Sequence, residues 1–220
     1  MALTRRYFLQ GALYTTMIAP VAGCITSHPP PVTLSAGHTV LALGDSITFG
    51  TGAAPQDSYP SVLADITGWN VVNAGIPGDT SKGALKRLPW LLKKYNPDLV
   101  LTCIGINDFM TEMPVEKVKI NIQRICQIVR SHHTQQMLIN VPYMTPQTLN
   151  QGTLQNAELY AEVAQEFDIP LQQNALLYML STPGLLSDFV HGNADGYHHL
   201  AYEIATSLYK EGLLRKNPAL

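Results

Sequence analysis

The residues best suited to chemistry lie in Ser187-Asp188-Phe189-Val190-His191-Gly192-Asn193. An aspartate three residues before a histidine, on a turn, can set its carboxylate against the imidazole Nδ1–H. That contact fixes the tautomer, leaves Nε2 to take a proton, and steadies the imidazolium that results. A base so prepared serves a hydroxyl nucleophile, which is weak at neutral pH without one. The same Asp-x-x-His spacing recurs at Asp195 and His198, so spacing alone leaves two candidate pairs. No His-Glu-x-x-His or comparable metal-ligand spacing occurs, and neither metal nor cofactor is expected. His132 and His133 fall at the carboxyl end of a helical pattern and read as surface residues that complement its dipole.

A scaffold must deliver such groups to one place. From His38 onward, short apolar runs alternate with longer amphipathic ones. Strands are expected at Thr39–Leu43, Trp69–Asn73, Leu99–Ile104, Gln136–Val141 and Ile169–Leu171. Helices are expected at Ser58–Thr67, closed by Gly68, and at Thr80–Tyr95, kinked by Pro89. Further helices are expected at Val115–Arg130, Leu154–Phe167 and Gly196–Leu214. The rhythm predicts an α/β domain: a parallel sheet covered on both faces, doubly wound because crossovers are right-handed.

In an open parallel sheet, ligands bind beyond the carboxyl ends of the strands. The loops there read Gly44-Asp45-Ser46, then Asn73-Ala74-Gly75-Ile76-Pro77-Gly78-Asp79-Thr80, then Gly105-Ile106-Asn107-Asp108. Taken singly they are weak signals, since Asp and Ser also serve turns and helix caps. Asp45 and Asp108 are expected to stabilise loops. Gly75 to Gly83 lacks the Gly-x-x-x-x-Gly-Lys-Ser/Thr order of a phosphate loop. The loop from Tyr143 to Gly152, after the fourth strand, is expected to help shape the pocket.

Taken together, in this order and spacing, the four segments resemble the SGNH (GDSL-type) hydrolase family. Within it they are closest in pattern to the small esterase, thioesterase and lysophospholipase group, across nearly all of residues 38 to 215. The resemblance implies a flavodoxin-like, doubly wound three-layer sandwich with a central parallel sheet of about five strands. It implies Ser46 as nucleophile, with Asp188 and His191 completing a triad. It implies an oxyanion hole made by the Ser46 and Gly78 backbone N–H groups and the Asn107 amide. Alignment at Asp188 keeps His191, Asn193, Gly196 and Tyr197 of the family's last block. Alignment at Asp195 loses the following Asn and Gly, so His198 and His199 are assigned to the closing helix. Phe189 and Gly192 depart from the family's usual Gly and Pro. The expected function is a serine ester hydrolase working through an acyl-enzyme: an arylesterase or acyl esterase, with thioesterase and lysophospholipase as variants. The rival readings are a non-catalytic ligand-binding lipoprotein and an acyltransferase with the same triad.

Bulk composition agrees with one globular catalytic domain. The chain has 220 residues, 46% hydrophobic and 14% charged, with a formal net charge of −2. No basic patch is present, so no nucleic-acid partner is expected; the expected partner is a small-molecule ester, bound by a monomer. Cys103 and Cys126 lie in apolar patterns and read as buried free thiols. The amino-terminal residues are an address. Arg5-Arg6 followed by a short apolar stretch resembles a twin-arginine export signal, and Val21-Ala22-Gly23-Cys24 resembles a lipobox. The expected division is a signal peptide over 1–23, a Pro-rich spacer over 24–37 and the hydrolase domain over 38–220. The expected location is the bacterial cell envelope, facing the periplasm, with a lipid on Cys24 as the membrane anchor.

Overall fold

The computed structural model describes residues 31–218. The export signal, the lipobox with Cys24 and the first part of the spacer lie outside the described residues.

Five strands form one sheet: β1 (Thr39–Gly44), β2 (Asn70–Gly75), β3 (Leu99–Cys103), β4 (Gln135–Ile139) and β5 (Leu171–Gln172). All pairings are parallel and the order is β2-β1-β3-β4-β5, the doubly wound arrangement expected. β1 and β3 are central, and their unbroken apolar runs are buried on both faces, as covered parallel strands require. β2 is an edge strand and stays half exposed, which matches its polar Asn70 and Asn73.

The helices are α1 (Ser46–Phe49), α2 (Tyr59–Thr67), α3 (Ser81–Tyr95), α4 (Ile106–Met110) and α5 (Val115–Ser131). They continue with α6 (Pro146–Gln151), α7 (Glu158–Phe167), α8 (Ala175–Leu180) and α9 (Ala194–Lys210). α3 packs on α5 and α5 on α7, while α2 and α8 pack on α9. The apolar spacing of α5 buries Val118, Ile122, Ile125, Cys126 and Val129. Gly68 closes α2 at φ 71, a left-handed cap that glycine adopts without a Cβ penalty. Pro89 is accommodated within α3, which runs on to Tyr95. Cys103 and Cys126 are buried free thiols.

Three kinds of element differ from expectation. α9 starts at Ala194 and ends at Lys210, short of Leu214, because Gly212 turns at φ 73 and Leu214 is held in a bridge with Leu34. The short helices α1, α4, α6 and α8 have too few residues to show an apolar period. α7 starts at Glu158 and not at Leu154, because Asn156 is held extended in an antiparallel bridge with Pro142. The described chain enters the domain at the amino ends of the strands. There the Val32 N–H donates to Gln135 Oε1 and the Leu34 N–H to the Leu213 carbonyl.

Candidate active site

The strand order reverses between β1 and β3, and this switch point opens a crevice at their carboxyl ends. Ser46 begins α1 two residues beyond the end of β1, and Asn107 lies in α4 just beyond β3. Asp45 makes the first turn possible, since its Oδ1 accepts the Ile47 N–H at 3.0 Å and caps α1. This carboxyl is buried. Burial pushes it up to about 7, helped by nearby Asp108 and Asp79 and opposed by the Ile47 hydrogen bond. Gly75 has no room for a side chain: a Cβ there would stand 2.1 Å from the Phe49 nitrogen, so β2 and α1 pack backbone to backbone. Asp108 accepts the Ser81 N–H at 2.8 Å and the Ser81 hydroxyl at 2.6 Å, tying α4 to the start of α3. Both aspartates stabilise loops, as expected.

The hydroxyl of Ser46 and the imidazole of His191, 145 residues apart, meet on this rim. His191 Nε2 lies 2.9 Å from Ser46 Oγ, and His191 Nδ1 lies 2.7 Å from Asp188 Oδ2. The other carboxylate oxygen, Asp188 Oδ1, accepts the Val190 and His191 N–H groups, each at 2.8 Å. The turn therefore closes on its own aspartate although Phe189 and Gly192 replace the family's usual residues. At Gly192 a Cβ would stand 2.9 Å from Met179 Sδ, so the small residue suits the packing behind the turn. Burial acts to raise the Asp188 carboxyl; the hydrogen bonds from the His191 ring and the two N–H groups outweigh it and hold it below the usual carboxylate range. His198 lies in α9 and pairs with Asp57 at 3.2 Å, away from Ser46.

The expected donors, the Ser46 and Gly78 N–H groups and the Asn107 amide, belong to residues that line one cavity. Ile76 to Asp79 form a turn in which the Asp79 N–H donates to the Ile76 carbonyl at 3.0 Å, with Gly78 at φ 77. Pro at the second place and Gly at the third match a type II turn. The positive φ is what demands glycine at 78, since a Cβ there would meet nothing within 4 Å. Neither the Ser46 N–H nor the Gly78 N–H donates to another described residue. Asn107 Nδ2 donates one hydrogen to the Asp79 carbonyl at 2.8 Å, which fixes the amide plane and leaves the second hydrogen unused.

Ser46, Gly78, Asn107 and His191 line a cavity of about 270 Å³, completed by Thr51, Pro77, Ile106, Met110, Phe189 and Val190. The loop from Tyr143 to Gly152 is absent from that lining, against expectation. Most of it is spent on α6, and Tyr143 packs edge-on against Phe109, ring centroids 5.1 Å apart. α4 and the turn carrying His191 supply the apolar walls instead. Sequence reasoning also missed Gly52, at φ 96, where a Cβ would stand 2.7 Å from the Gly192 carbonyl oxygen. Here the loop after the nucleophile rests on the backbone behind His191. A glycine in a polar loop was the only signal available. Tyr197 OH donates to the Thr51 carbonyl at 2.7 Å and ties the same loop to α9.

A serine hydroxyl, an oriented imidazole and unpaired donors around one cavity suit attack on an ester carbonyl. Known proteins agree. The GDSL-like Lipase/Acylhydrolase family matches residues 42–199. The "Thioesterase 1/protease 1/lysophospholipase L1" of Escherichia coli K12 is 31% identical over 182 residues, covering 79% of this chain and 85% of that protein. The "Arylesterase" of Vibrio mimicus is 27% identical, covering 80% of this chain and 90% of its own. Among solved structures, that of TesA superposes with a TM-score of 0.69 at 26% identity, covering 79% of this chain and 99% of its own. The psychrotrophic esterase EstA of Pseudoalteromonas sp. gives 0.67 at 25% identity, covering 79% of this chain and 97% of its own. By sequence match, fold and site geometry alike, the chain belongs to the GDSL-like lipase/acylhydrolase family and is a carboxylic ester hydrolase.

Proposed function

We propose that the protein hydrolyses esters with a short-chain or single-ring apolar group through an acyl-enzyme on Ser46. His191 takes the hydroxyl proton as Ser46 Oγ bonds to the carbonyl carbon, and returns it to the departing alcohol. Water then enters by the same route and releases the acid. Asp188 keeps the imidazole tautomer and steadies its charge. The Ser46 and Gly78 N–H groups and the free Asn107 hydrogen receive the negative oxygen. The single observation that carries this reading is the continuous chain from Asp188 Oδ2 through His191 to Ser46 Oγ, with contacts of 2.7 and 2.9 Å.

Apolar walls from Ile106, Met110, Phe189 and Val190 favour an apolar acyl or aryl group over a sugar. A volume near 270 Å³ lies just under the range typical of sites for drug-sized ligands, which supports a single ring or a short chain. Activity of wild type, Ser46→Ala and Asn107→Ala on p-nitrophenyl esters of increasing acyl length tests the proposal. Ser46→Ala should fall to background, and Asn107→Ala should lose about 10²–10³ in kcat. Wild-type turnover by Ser46→Ala would overturn it. The arginine pair and lipobox at the amino terminus support the further reading that the enzyme is exported and held at the cell envelope by a lipid on Cys24.

A further inference from the structure

We propose that Arg87 is a positioning residue that holds the three parts of the oxyanion hole in register. The inference rests on the reading of Ser46, Gly78 and Asn107 as the donors. Those donors sit on three separate loops, after β1, β2 and β3. The β1–β2 ladder stops at the Gly44–Gly75 pair, and past it one backbone bond, from the Ile76 N–H to the Gly44 carbonyl at 3.2 Å, is all that strand pairing adds between these two loops. Geometry at such a site must hold to within about 0.5 Å, so something must take over there.

Arg87, on α3, does so with one planar group. Its Nη2 donates to the Gly44 carbonyl at 2.8 Å, two residues before the nucleophile. Its Nη1 donates to the Ala74 carbonyl at 2.7 Å, at the end of β2. Its Nε donates to Asp79 Oδ2 at 2.8 Å, beside Gly78. The Asp79 carbonyl in turn accepts the Asn107 amide, so the third loop is held through the same residue. Two further features fit this arrangement. Asp79 Oδ1 accepts the Thr80 N–H at 2.9 Å, fixing the carboxylate. Gly83 leaves it space, since a Cβ there would stand 1.8 Å from Asp79 Oδ1. The ion pair is largely shielded, with side chains 18% and 12% exposed for Arg87 and Asp79. A lysine cannot reproduce this, because one ammonium cannot span three acceptors in a fixed plane.

The test uses the full chain and a p-nitrophenyl ester. Arg87→Met and Arg87→Lys are made in wild-type and Asn107→Ala backgrounds, with thermal melting to check folding. Misplacing donors by a fraction of an ångström to an ångström should lower kcat about 10–100-fold with KM changed less than about 3-fold. Arg87→Lys should recover little of that loss. Because Arg87 acts partly through Asn107, its substitution should cost at least about 3-fold less in the Asn107→Ala background than in wild type. A folded Arg87→Met protein with kcat within about 2-fold of wild type would overturn the proposal, as would losses that multiply fully in the double variant. Should Arg87→Met fail to fold, Arg87→Lys carries the same cycle, and wild-type kcat there refutes the role. Failure of the parent reading would show separately, as turnover retained by Ser46→Ala.

Discussion

Replacing Asp45 by asparagine alters one terminal group in the loop that presents Ser46, and its consequence can be worked from the structure. The Asp45 carboxyl is 1% exposed, and burial moves it from 3.8 to about 7. Between those two values the folded protein keeps a proton that the unfolded chain has released. The unfolded state then binds fewer protons, so this group's contribution to stability is whole below pH about 4, declines as pH rises, and is gone above about 7. The slope is about 1.4 kcal/mol per pH unit, and from pH 5 to 8 the loss is about 3 kcal/mol. An asparagine keeps the oxygen that accepts the Ile47 N–H and does not titrate. Groups away from this loop titrate alike in both proteins and cancel in the difference, and the coupling of Asp45 to Asp108 and Asp79 is smaller than the effect of burial. Urea unfolding of wild type and Asp45→Asn at pH 5 and pH 8 should therefore show the variant gaining about 3 kcal/mol on wild type, a midpoint change of about 1 M or more. A difference that stays constant to within about 0.5 kcal/mol, or moves the other way, would mean that the carboxylate is ionised and compensated in the folded protein.

Two other outcomes follow from the structure and from the proposed export signal. Gly52→Ala places a methyl against the Gly192 carbonyl oxygen at a left-handed φ of 96. It should lower kcat at least about 10-fold and stability by about 1–3 kcal/mol, read by ester turnover and urea unfolding; kcat within about 2-fold of wild type would contradict the docking role of this loop. Cys24→Ala should move the protein from the membrane fraction to the soluble fraction of the cell envelope, and unchanged fractionation would rule out the lipid anchor.

Much of the fold was legible because it depends on local rules. Continuous apolar runs at Thr39–Leu43 and Leu99–Ile104 marked strands buried on both faces. The three- and four-residue steps from Val118 to Val129 marked the long helix α5. The bonds within the triad turn follow from spacing as well, because Asp188, Val190 and His191 are too close in sequence to depend on the rest of the chain. The order of the four blocks named the loops that meet at the rim.

Tertiary structure decided what joins those loops. Arg87 is the one arginine among the lysines of its helix, but nothing local names its partners, since Gly44, Ala74 and Asp79 come together only when the strands align. The choice of α4 and Phe189 over the Tyr143–Gly152 segment as cavity walls likewise depends on which elements pack beside β3. Sequence periodicity records which face of an element is buried, and short motifs record which turns can form. The distances between separate loops, including the 2.9 Å from His191 to Ser46, are set by strand register and crossover packing, to which distant residues contribute jointly.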